Sequence, residues 1–205
     1  MGMKRFLAAL LLLTLVVAQP SPAAAGFAAA GFYEGEAAYK RGDFATALRE
    51  LSPLANLGYA GAQYRLGVMY ERGRGVPQDY KTAAKWHRLA AEQGYANAQI
   101  NLGFMYGLGQ GVPQNYAEAV LWFRKAAEQG DALAQQSLGV MYGQGQGVAQ
   151  DNIRAHMWSN IAASQGETEA ATKNRDLFAK LMTPSQIETA QKLAQECEKK
   201  NYKGC

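Results

Sequence analysis

Two histidines, two cysteines and three Gly-x-Gly loops are the parts of this 205-residue chain whose residue types could do chemistry. His87 and His156 occupy different places in an internal repeat, where their counterparts are Phe123 or Ser159 and Ala84 or Val120. Neither belongs to a motif: the chain has no His-Glu-x-x-His, no paired cysteine set with metal-ligand spacing and no serine in a nucleophile elbow. Both histidines therefore read as partly exposed helical residues, and the expected tally of catalytic, metal-binding and cofactor-binding residues is none.

The Gly-x-Gly segments, such as Gly73-Arg74-Gly75, invite comparison with phosphate-binding loops. A dinucleotide fingerprint needs a third glycine, a preceding strand and a following helix. Gln78 stands where the third glycine would fall and a helical pattern precedes the loop, so these glycines read as turn residues. Cys197 and Cys205 both lie near the C-terminus. A bond between them is the expectation in an oxidising compartment, with Gly204 letting the tail fold back; free thiols or a link to another chain are the alternatives.

The elements carrying these residues repeat. A 36-residue unit runs in register from Ala62, Ala98 and Ala134, with sixteen positions identical in all three copies, among them Leu66, Gly67, Tyr70 and Trp86 of the first. A period of this length signals a solenoid, whose units bury their apolar faces only by stacking. Leu66, Met69 and Tyr70 fall at the spacing of one helical stripe, which defines a first helix in each unit. Glycine inside that helix, at 67, 103 and 139, costs about 1 kcal/mol relative to alanine, and its return predicts close contact with another backbone.

Glycines and a proline then end the first helix, and Asp79, Asn115 or Asp151 is placed to cap a second one. Ala83, Trp86 and Ala90 form its stripe in the first copy, and Gly94, Gly130 or Gly166 marks its end. The three tryptophans read as core. In the third copy Ala149 replaces the proline and Asn152 the aromatic, so that unit drifts.

These residues resemble the Sel1-like repeat family, relatives of tetratricopeptide repeats. The carriers are Ala-x-x-x-Leu-Gly-x-Met-Tyr, Gly-x-Gly-Val and Trp-x-x-x-Ala-Ala-x-x-Gly at 62–94, 98–130 and 134–166. The resemblance implies an all-α fold, a right-handed solenoid of antiparallel helix pairs, acting mostly as a protein-binding adaptor. The expected organisation is a signal peptide at 1–25, a degenerate capping repeat at 26–61, three repeats at 62–97, 98–133 and 134–169, and capping helices at 170–205.

The leader reading rests on Lys4 and Arg5, the apolar run Phe6 to Ala18 and the small residues Ala23-Ala24-Ala25. Cleavage after Ala25, or alternatively after Ala18, would export the protein, to the periplasm or beyond the cell, with no membrane span retained. It would also lower the formal charge from +4 to +2 by removing Lys4 and Arg5. With no basic stripe and interleaved aromatics, nucleic acid is not an expected partner.

The expected partner is another envelope protein or a peptide segment, bound by a monomer. Positions left free to vary on the first helices are Arg65, Val68 and Arg72; Asn101, Phe104 and Leu108; and Ser137, Val140 and Gln144. Offsets of three and seven put each triplet on one face, and the resemblance puts that face in the concave groove. Val68, Phe104 and Val140 have a second reading as packing between repeats. Two other functions stay open. Cysteine-rich members of the family are linked to β-lactam binding and hydrolysis, but this chain lacks their cysteine pairs. A glycan could stack on Tyr64, Tyr95 and Tyr106, with no carboxylate or amide cluster beside them to support it.

Overall fold

The computed structural model describes residues 22–166 and 169–205. The leader reading falls mainly on residues 1–21, outside the described ones. Ten helices and no strand form the described chain: α1 Pro22–Arg41, α2 Phe44–Asn56, α3 Ala60–Arg72, α4 Tyr80–Glu92, α5 Ala96–Leu108, α6 Tyr116–Ala127, α7 Ala132–Gln144, α8 Asn152–Ser164, α9 Glu169–Ala179 and α10 Pro184–Lys199. Each packs on its neighbours in sequence from α1 through α9, so the chain is a stack of helix pairs, an α/α solenoid. No helix among the described residues is long and apolar enough to cross a membrane.

Alanine lets the helices approach closely. Ala62, Ala83, Ala90, Ala98, Ala119, Ala126, Ala134 and Ala155 are fully buried. Between them sit the large side chains Leu66, Met69, Leu102, Leu138 and Trp158. Trp122 is buried as well, whereas Trp86 is only partly so.

The loop inside each repeat is one construction made three times. Gly73, Gly109 and Gly145 end the first helices in the left-handed conformation, and each N–H bonds the carbonyl of Met69, Met105 or Met141. The amides of Gln78, Gln114 and Gln150 reach back to the carbonyls of Glu71, Gly107 and Gly143 at 2.8–2.9 Å. Asp79, Asn115 and Asp151 then cap the second helices, as expected. The Thr82 hydroxyl bonds the Asp79 carboxylate and is the main cause of that group's lowered pKa. Neither Ala149 nor Asn152 disturbs this construction in the third copy, because the glycines, the glutamine and the cap carry it.

The second glycine of each Gly-x-Gly does a different job. A Cβ on Gly111 would stand 2.1 Å from the Tyr80 carbonyl oxygen, and one on Gly147 2.3 Å from that of Tyr116. Both glycines thus touch the first turn of the preceding repeat's second helix, which makes the loop a contact between repeats.

At the N-terminal end, α1 and α2 are joined only by Gly42 and the cap Asp43. At the other end, Thr183 and Gln186 form the expected capping box of α10. That helix packs mainly on α8, where Met157 and Ile161 are buried. The Cys197–Cys205 disulfide is present, with Cα atoms 5.7 Å apart. It holds a tail in which Asn201 and Tyr202 have positive φ and Tyr202 packs against the core.

Candidate binding face

The helical glycines mark crossing points, and the nearest atom at each is a side chain, with the expected backbone contact present at Gly139. Gly67 faces the His87 ring, Gly103 the Phe123 ring and Gly139 the Ser159 hydroxyl, each within 2.5–2.8 Å of where a Cβ would stand. At the third crossing the nearest atoms also include backbone, the Ala155 carbonyl oxygen at 3.1 Å and the Ser159 nitrogen at 3.3 Å. Gly35 faces Leu51 in the same way, which extends the register to the first pair.

That slot corrects the reading of the histidines. His87 is fully buried because it fills the crossing slot, and His156 is 3% exposed because it replaces the buried Ala84 and Val120. His87 Nε2 lies 3.2 Å from a Glu71 carboxylate oxygen, which Asn101 also approaches, while its Nδ1 has no partner. Burial lowers the His156 pKa, with Arg175 adding to the effect and Asp176 opposing it. Both histidines belong to helix packing. No group of three or more potential metal ligands occurs among the described residues.

Buried glutamines form a ladder that the sequence reading overlooked. Gln63, Gln99 and Gln135 donate to the carbonyls of Ala55, Ala91 and Ala127 across the boundary to the preceding helix pair. Each accepts at 2.7–2.8 Å from the amide of Gln93, Gln129 or Gln165 at the end of the same repeat's second helix. All six are identical at 36-residue spacing, and that repetition of a polar residue is the signal that could have found them.

The nine variable positions divide. Val68 is 3% exposed and lies in the core, so it takes the packing role, and Val140 is half-buried. Arg65 is engaged by both carboxylate oxygens of Glu36 and lies 4.3 Å over the Tyr39 ring, tying α3 to α1. Asn101 and Ser137 are half-buried, and Arg72 and Gln144 are exposed. Phe104 is 38% and Leu108 63% exposed, one helical turn apart on α5. Phe104 leans edge-on against Phe123 with centroids 5.0 Å apart, leaving part of its ring outside. The aromatics weighed for glycan stacking are engaged with the protein: Tyr64 packs on Tyr95, and the Tyr106 hydroxyl accepts from Arg88.

Stacked helix pairs of this length, with their glycine stops and long inner loops, define a repeat scaffold. The chain belongs to the Sel1 repeat family, whose repeat matches residues 60–95, 96–131 and 132–167. Among solved structures it is similar to a protective antigen of uropathogenic Escherichia coli displaying an SLR fold, with 42% identity and a TM-score of 0.68. That match covers 72% of this chain but only 32% of the antigen, so this chain spans about a third of that protein's length. It is also similar to a Sel1 repeat protein from Oxalobacter formigenes, with 32% identity, a TM-score of 0.70 and coverage of 86% and 73% of the two chains. No curated protein sequence matches the chain.

Proposed function

We propose that the protein is a non-enzymatic scaffold of the bacterial cell envelope that holds a partner protein or peptide segment against the first helices of its repeats. Sel1 repeats are commonly protein-interaction scaffolds. The observation that carries the reading for this chain is the pair Phe104 and Leu108, which stand partly open to solvent together near the middle of the stack among the described residues. Arg72 on α3, Asn101 on α5 and Ser137, Val140 and Gln144 on α7 complete the proposed face at equivalent repeat positions. Export is the companion proposal. The Cys197–Cys205 bond supports it, because a reducing cytoplasm would keep both thiols open.

The test is affinity capture from envelope extract, with the chain from Gly26 onward as bait. Val68 is unsuitable for mutation here, because a charge at that buried site would damage the fold. A Phe104→Glu/Leu108→Glu bait is expected to melt lower by the loss of the Phe104–Phe123 contact but to stay folded, and to lose the captured protein. Retention of the same protein by a folded double variant would contradict the assignment.

A further inference from the structure

The character of the free helix face changes from one end of the stack to the other. The crossing glycines at 35, 67, 103 and 139 set a common register. In that register the position five residues later is Lys40 on α1, Arg72 on α3, Leu108 on α5 and Gln144 on α7. All four are exposed. At this position the face therefore runs from cationic to apolar to uncharged polar.

The two cations at its head are available. Neither Lys40 nor Arg72 makes an ion pair among the described residues, whereas Arg41 pairs with Glu34 and Arg65 with Glu36. The carboxylate nearest Arg72 in sequence, that of Glu71, is held by His87 and Asn101. An exposed ammonium and an exposed guanidinium, beside an apolar pair, complement a ligand with carboxylates next to an apolar side chain.

We propose that the segment this face binds is acidic at one end and apolar beside it, lying along the stack with its carboxylates over Lys40 and Arg72 and its apolar side chain on Phe104 and Leu108. The inference rests on the binding-face reading above and adds the chemistry and direction of the ligand. The uncharged groups of Ser137 and Gln144 then meet the polar continuation of the segment.

A random peptide library displayed on phage and panned on the full chain tests it. Enriched peptides are expected to carry Asp or Glu close to an apolar residue. Their retention should fall at least about fivefold on the Lys40→Glu/Arg72→Glu variant and on raising the salt. Peptides that depend on Phe104 and Leu108 but carry no acidic bias, or that survive Lys40→Glu/Arg72→Glu, overturn the charge inference and leave the face standing. Peptides indifferent to Phe104→Glu/Leu108→Glu place binding elsewhere and overturn both. An empty selection overturns the inference, which requires a short segment, and leaves the face to be decided by the envelope capture.

Discussion

Gly111→Ala is expected to destabilise the stack by several kcal/mol, although it adds one methyl group at the surface of a loop. Two costs combine. The residue sits at φ +71°, where a side chain costs about 1 kcal/mol or more. The added Cβ would also stand 2.1 Å from the Tyr80 carbonyl oxygen and 2.3 Å from its carbon, both of them backbone atoms. A flexible side chain could turn away, but the first turn of α4 cannot move without opening the boundary between repeats. Gly94→Ala is the control, because it has φ +89° with nothing within 4 Å of its Cβ and pays only the conformational cost, about 1 kcal/mol. A large gap between the two variants in urea denaturation would establish the loop as a contact between repeats. Equal midpoints would show that the boundary yields.

Gln99→Glu is expected to cost several kcal/mol at neutral pH, and Gln99→Leu clearly less. Gln99 is buried, donates to the Ala91 carbonyl at 3.0 Å and accepts from Gln129 at 2.8 Å. Leucine forfeits these bonds but keeps an apolar side chain in the site, and the Ala91 oxygen retains the Gly94 N–H. Glutamate instead buries a charge whose oxygen faces that carbonyl oxygen. Burial raises the pKa of such a carboxyl above its unfolded value of about 4.3. The loss relative to wild type is therefore full above the raised folded pKa and disappears as pH falls to the unfolded value, where the neutral acid can donate to Ala91 as the amide did. Melting curves across that range check the sign. A cost that is flat with pH would mean that the charge escapes to water.

These two residues also show what was legible in the sequence and what was not. Helix ends were legible because their causes are local: Gly73 stops α3, Asp79 caps α4 and Thr183 with Gln186 starts α10, each within a few residues of the feature it makes. The repeat itself was legible for the same reason, restated every 36 residues. Gln99 was overlooked because an amide near the start of a helix reads as surface until the neighbouring repeat is in place. The filler of the crossing slot was equally hidden, since Leu51, His87, Phe123 and Ser159 share no chemistry and only their opposing glycines reveal the common role.

The proposed binding face was half legible. Helical phase gives Val68, Phe104 and Val140 the same repeat position, but phase does not say how deep the slot is. A valine at 68 disappears into the core, while the larger phenylalanine at 104 leans on Phe123 and reaches the surface. Arg65 had the phase of a groove residue, and its partner Glu36 sits on a helix outside the three regular repeats. The packing of α10 onto α8 was hidden too: Met157 and Ile161 share a buried cluster with Ala194 and Cys197 of α10, while their counterparts Leu121 and Lys125 stay exposed on α6.

The first-helix face, and not the opposite layer, is the proposed seat of the partner. Photo-crosslinking in living cells tests it most directly, with a photoreactive amino acid at position 104 on α5 or at position 121 on α6, both exposed in the structure. One protein captured from position 104 and absent from position 121 is the result expected. Capture from position 121 alone, or from neither position in cells that make the folded protein, would contradict the account.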